Sequence, residues 1–154
     1  MPEVPRDPPP EFNRTTCACV HCVRCCKRQP GPLIPRDVER IRLHLQCSSD
    51  ELKAKLWASP GALVRDTSTS RTHRIGTITP RWQKGRCVFL DTNDRCTIHR
   101  VAPFGCSHYD THMPDSMANQ RSAWALEQVL HSDDYQKLRA ELPYATHYKP
   151  NEIE

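Results

Sequence analysis

Four thiols fall within eight positions near the start of this chain, in the run Cys19-Val20-His21-Cys22-Val23-Arg24-Cys25-Cys26. No helical or strand period produces such a pattern as a packed core. Two residues between successive cysteines let the sulfurs turn inward about one small centre, as in the first three ligands of bacterial ferredoxin runs and in the C-x2-C pairs of zinc sites. The adjacent Cys25 and Cys26 point their side chains apart in most backbone conformations, so they do not take two corners of one tetrahedral ion. One of them serves a second metal or stands beside the centre as a non-ligand. Cys87, Cys96 and Cys106 follow downstream at intervals of nine and ten. These seven thiols are the expected metal ligands, gathered from two ends of one domain.

The rest of the composition agrees with a metal protein. Val, Ile, Leu and Phe make up about 18% of the 154 residues, below the roughly 20% at which globular packing becomes doubtful. Metal ligation is therefore expected to supply part of the folding free energy, to which structural sites contribute on the order of 10 kcal/mol. The N-terminal residues lack the apolar region of a signal peptide, and no run approaches eighteen apolar residues. A cytoplasmic chain away from membranes is expected, where thiols stay reduced and dense cysteine signals metal or redox chemistry. The cysteine count is odd, at nine, which a closed disulfide framework does not favour. The chain has 16 Arg and 6 Lys and a formal charge of +4, which seven thiolates would carry to −3. The Arg excess is read as partly offsetting that cluster charge. The arginines are scattered and form no basic stripe, so nucleic acid is not the expected partner. A protein partner stays open.

The expected fold is α+β, a small cysteine-rich single domain nucleated by metal, with helices flanking a short antiparallel hairpin region. Residues 1–11 hold five prolines and read as a disordered tail. Residues 12–142 form the cysteine-cluster domain, and 143–154 a loose C-terminal tail. Ile34 to Gln46 predicts a helix with Pro35 in its first turn. Ser48 and Glu51 make a capping box for a second helix carrying Leu52, Leu56 and Trp57 and ending at Ser59-Pro60-Gly61. Residues 62–64, 74–79 and 87–90 read as strands. A turn at Asp91–Asp94 lets Cys96–His99 pair back and brings Cys87 and Cys96 to one end of a hairpin. Residues 116–131 predict a helix with Ala123, Leu126, Val129 and Leu130 on one side, and Ser132 starts another carrying Tyr135, Leu138 and Leu142. Cys47, between two helices, reads as a small buried hydrophobe. Cys17 fits no C-x2-C spacing and is a spare ligand or a redox thiol.

With these elements in place the chain resembles the CxxCxxCC cysteine-cluster family, described as a zinc- or iron-chelating domain. Flagellin lysine N-methylases carry a similar cluster. The resemblance rests on Cys19, Cys22, Cys25 and Cys26, on Cys87-Val88-Phe89-Leu90, and on Cys96-Thr97-Ile98-His99-Arg100-Val101-Ala102-Pro103-Phe104-Gly105-Cys106. It covers about residues 17 to 112 and matches all seven family cysteines. His99 stands where the family has Tyr, and Ala102 where it has Arg. A guanidinium is thus missing from the pattern, and His99 is a further candidate nitrogen ligand.

After Cys106 comes Ser107-His108-Tyr109-Asp110-Thr111-His112. In an extended segment Asp110 and His112 share a face, and imidazole with carboxylate suits non-haem iron or zinc with an open position. Such groups serve as outer shell as often as ligands. His108, Asp110, His112 and His99 are secondary candidates on that ground, and His21 faces the same choice. Asp37 reads as a first-turn acid of the first helix, and His44, His73, His131 and His147 as surface residues. Gly occurs only five times, which argues against nucleotide-cradling loops. The leading expectation is a protein holding a Cys-ligated iron centre, a 4Fe-4S cluster ahead of zinc, for redox, metal handling or support of a modification reaction. The alternatives are an iron-dependent, methylase-like enzyme with an open His/Asp site, and a zinc-ribbon-like interaction module.

Overall fold

In the computed structural model, residues 5–14, 30–66, 70–109 and 113–145 are described. The fold is α+β, with five α-helices and two small antiparallel sheets among those residues. In chain order they are α1 (Pro35–Leu45), α2 (Ser49–Lys53), β1 (Leu56–Asp66), β2 (Arg71–Pro80), β3 (Trp82–Gln83), β4 (Arg86–Cys87), α3 (Phe104–Ser107), α4 (Asp115–Leu130) and α5 (Asp133–Ala140). A 3-10 turn, His99–Val101, precedes α3. None of the described helices is long and apolar enough to cross a membrane.

Local signals account for the helix starts. Pro35 opens α1, where its missing N–H costs nothing. Ser48 Oγ accepts the Glu51 N–H while Glu51 accepts the Ser48 N–H, both at 3.1 Å, which closes the capping box of α2. Ser132 Oγ caps α5 by accepting the Tyr135 N–H.

The second helix is shorter than the sequence predicts. It stops at Lys53, and Leu56 begins the long strand β1, paired Leu56 to Pro80 through Asp66 to Arg71 with β2. The reason is that Leu56, Trp57 and Ala58 are all buried. A short apolar run of that kind fits helix or strand by period alone, and pairing with residues twenty positions away decides. Pro60-Gly61 does not end the element but forms its bulge. The register shifts between Ser59 and Ala62, and Gly61 takes φ +74°, a conformation that favours glycine. Arg139 staples the bulged region by donating to the Ser59 and Thr77 carbonyls at 2.7 and 3.2 Å.

The expected 87–90 strand is also redistributed. Cys87 ends β4 opposite Trp82, and the return pairing joins Leu90 to Cys96 rather than Cys87 to Cys96. Asp91 organises the intervening turn, accepting the Asn93 and Arg95 N–H groups on Oδ1 at 2.8 and 3.0 Å. In α4 the predicted helix forms, but its inward face is offset. Arg121, Ala125 and Val129 are buried, while Ala123 and Leu130 are exposed. Arg121 belongs to the buried face because its guanidinium donates to the carbonyls of Asn13 and His108, both at 2.8 Å. An apolar period cannot register such a residue.

Both flanking segments touch this framework. Phe12 packs edge-on against Trp124 at 6.0 Å. Ala58 donates to the Pro143 carbonyl and accepts from the Ala145 N–H. On the other side of the hairpin, Leu33 bridges to Ile78. Among the described residues one direct bond is made there, from Leu33 N–H to Ile78 O at 2.8 Å. Tyr135 Oη completes the second, accepting the Ile78 N–H at 2.7 Å and donating to Leu33 O at 2.6 Å.

Burial pushes the Tyr135 phenol well above its ordinary pKa of 10. Tyr135→Phe leaves a buried N–H and a buried carbonyl unpaired and should cost about 1–3 kcal/mol at neutral pH. Because the folded pKa lies above the unfolded one, the stabilisation is intact below pH 10 and is lost as pH rises beyond it. Denaturant titrations at pH 7 and pH 10.5 should therefore show the gap between the parent and the Phe variant narrowing at the higher pH.

Candidate metal centre

The downstream cysteines lie on three short elements. Cys87, at the end of β4, is buried in the main core with Phe89 and Ile98, and Cys96 packs against the same cluster. Cys96 sits where the Asp91 turn pairs back. Burial pushes the Cys96 thiol up, countered in part by the Ile98 backbone N–H and by the nearby Arg14 guanidinium. Cys106 lies on the single-turn helix α3 and is half-buried. The Gly31 N–H donates to its Sγ at 3.2 Å. Among the described residues, no three histidine, cysteine or acidic side chains form a group that could hold a metal ion. Cys17, Cys19, Cys22, Cys25, Cys26, Asp110 and His112 lie outside the described residues.

The contact between Gly31 and Cys106 depends on two glycines. Gly105 N–H donates to Pro32 O at 3.0 Å. A Cβ on Gly31 would come 2.2 Å from the Gly105 carbonyl carbon, and one on Gly105 would come 2.3 Å from Pro32 Cδ. Only hydrogen at both positions lets the two backbones approach this closely.

Asp37 holds the same junction from beneath. Its side chain is fully buried, and its Oδ2 accepts two backbone N–H groups, from Ile34 at 2.9 Å and from Phe104 at 2.8 Å. The first closes the entry to α1, as expected for a first-turn acid. The second reaches 67 residues along the chain to the start of α3, two residues before Cys106. Burial raises its pKa, while the two N–H groups and Arg36, whose Nε lies 3.2 Å from Oδ1, act the other way.

Of the histidines, His108 is buried and stacks on Phe104 with 4.5 Å between ring centres. Its Nδ1 lies 2.8 Å from Ser107 Oγ. Burial, then the charges of Arg36, Arg121, Arg14 and Arg40, lower its pKa to about 4, so the imidazole is neutral at physiological pH. His99 is exposed on the 3-10 turn, as are His44 and His131 at their own positions. Cys47 is half-buried and packs against the main core, as expected. Ala102 is buried and supplies no guanidinium, yet one arrives from elsewhere. Arg14 donates to the carbonyls of His99 and Arg100. Sequence reasoning missed Arg14 and the second bond of Asp37 because both act across more than sixty residues.

Asp37→Ala should destabilise the protein by about 3 kcal/mol, because two buried N–H groups lose a charged acceptor. Asp37→Asn keeps one carbonyl acceptor in place and should lose clearly less. Urea unfolding of the three proteins under one set of conditions compares them directly.

No curated protein and no solved structure matches this chain. A family model does, over residues 18–138, more than three quarters of the length. Its description is CxxCxxCC, putative zinc- or iron-chelating domain. The chain thus belongs to the CxxCxxCC family of zinc- or iron-chelating domains.

Proposed function

We propose that thiolates drawn from Cys19, Cys22, Cys25, Cys26, Cys87, Cys96 and Cys106 hold an iron centre, a 4Fe-4S cluster ahead of zinc, with four of them on the cluster and the rest serving a second ion or standing beside it. The observation that carries this reading is the anchoring of residues 14 and 31. Arg14 is bonded to the His99 and Arg100 carbonyls, and Gly31 to the Cys106 sulfur. Both residues flanking the cysteine run therefore dock on the Cys96–Cys106 block. The donor chemistry fits. Cys106 receives the Gly31 N–H at sulfur, and such a bond favours the thiolate over the thiol; the Ile98 backbone N–H acts in the same direction on Cys96. Deprotonation of the partly buried Cys96 accompanies binding, so metal uptake releases protons. When bound, an iron–sulfur cluster supplies one-electron chemistry at a potential set by hydrogen bonds to sulfur and by burial. The protein's part is to exclude water around Cys87 and Cys96 and to fix Cys106 through Gly31, Gly105 and Asp37. The physiological role that follows is redox, metal handling or support of a modification reaction in the cytoplasm.

Anaerobic purification from cells given both iron and zinc tests the reading, with metal and sulfide analysis and a visible spectrum. Brown protein with about four iron and four sulfide per chain is expected. Colourless protein with one or two zinc ions would replace the cluster by a structural zinc site, and protein without either metal would overturn the proposal. Gly105→Ala keeps every cysteine but forces Pro32 away from α3. It should weaken metal retention by about tenfold or more, read by elemental analysis after dialysis against a chelator.

A further inference from the structure

A cavity of about 230 Å³ lies between the β1–β2 hairpin, the Pro32–Ile34 segment, α3 and α4. Leu33, Ile34, Phe104 and Val129 contribute its apolar wall, and among the described residues no charged side chain lines it. Pro32, at its edge, is exposed to solvent.

Five hydroxyl-bearing residues line the cavity, and four of them are paired off. Ser59 Oγ lies 2.5 Å from Thr77 Oγ1. Tyr109 Oη lies 2.9 Å from Ser122 Oγ. The fifth is Thr79, two residues beyond Thr77 on β2 and therefore on the same face. Thr79 is 2% exposed, and its Oγ1 has no hydrogen-bond partner among the described residues. A buried hydroxyl left this way is unfavourable. In a cavity it marks where a ligand's polar group would be received.

We propose that this cavity binds a neutral, single-ring molecule bearing one hydrogen-bonding substituent, which pairs with Thr79 Oγ1. The volume sets the size, because a cavity of roughly 150 Å³ accepts benzene. The uncharged lining selects a neutral ligand, since an ion would be stripped of water with nothing to compensate it. The apolar wall receives the ring, and Thr79 fixes its orientation. The site shares Gly105 with the turn that carries Cys106. Its ligand is nonetheless specified by the cavity alone and does not depend on the metal reading.

Equilibrium dialysis of the full-length protein as purified tests this, with phenol, toluene and benzoate as probes. Saturable phenol binding is expected, about 2- to 10-fold tighter than toluene from one hydrogen bond, and none for benzoate. Thr79→Val preserves shape and removes the hydroxyl, so the advantage of phenol over toluene should vanish. The unliganded variant should also melt at a higher temperature, since an unpaired buried group has been deleted. Ala125→Met, which reaches into the cavity from a helical position, should exclude both rings. Absence of saturable phenol binding would overturn the proposal. So would a Thr79→Val variant that keeps the phenol preference, or one that is destabilised, which would show the hydroxyl already satisfied.

Discussion

The Asp37 carboxylate is the constraint on which the site depends. A carboxylate with no exposed surface carries a large desolvation cost, and burial does raise its pKa. That cost is offset by charge-assisted bonds from two backbone N–H groups and by Arg36 alongside. The two N–H groups belong to residues 34 and 104, so one side chain satisfies the starts of α1 and α3 together. Other contacts gather at the same junction. The Pro32 carbonyl meets Gly105, Gly31 meets the Cys106 sulfur, and Phe104 is placed to stack on His108. An apolar residue at position 37 could fill the space, but it could not tie two helix starts to one point.

Arginine usage has a structural explanation that its charge did not suggest. The excess of Arg over Lys reads, from composition, as compensation for thiolate charge. In the fold, Arg14, Arg42, Arg81, Arg86, Arg121 and Arg139 each donate to main-chain carbonyls. A planar guanidinium with five donors can serve two carbonyls on different segments at once, as Arg121 does for Asn13 and His108 and Arg139 for Ser59 and Thr77. Lysine, a single rotatable point charge, lacks that geometry. With so few large aliphatic residues, cross-links of this kind satisfy carbonyls that regular secondary structure leaves over. The two roles are compatible, since Arg14 acts electrostatically on Cys96 while bonded to the neighbouring turn.

What could be read from the sequence was what is encoded locally. Pro35, the Ser48–Glu51 box and Ser132 each mark a helix start within three or four residues, and all three helices begin there. The thiol spacing is equally local, and it carried the family. The failures are long-range. Leu56-Trp57-Ala58 has no period that separates strand from helix, and its partners lie at 78 to 80. Pro60-Gly61 carries the same turn signal whether it ends a helix or bends a strand. The offset face of α4 escaped because a buried arginine occupies it. Asp37 was placed correctly as a first-turn acid, but nothing near position 37 announces Phe104.

On the proposed reading, this division between local and distant information bears on how a split ligand set can be assembled. Cys26 and Cys87 are sixty-one residues apart, and an ion joining them in an unfolded chain would have to close that whole loop. Closure entropy grows only as the logarithm of loop length, so the larger saving comes from order already present. The hairpin, the Asp91 turn and the Asp37 junction fix Cys87, Cys96 and Cys106 on folded elements. Arg14 and Gly31 fasten the flanks of the cysteine run to the block that carries Cys96 and Cys106. Binding free energy otherwise spent on bringing distant parts together is retained as affinity. On the proposed reading, the two glycines and the buried carboxylate donate nothing to a metal and instead position Cys106 for it.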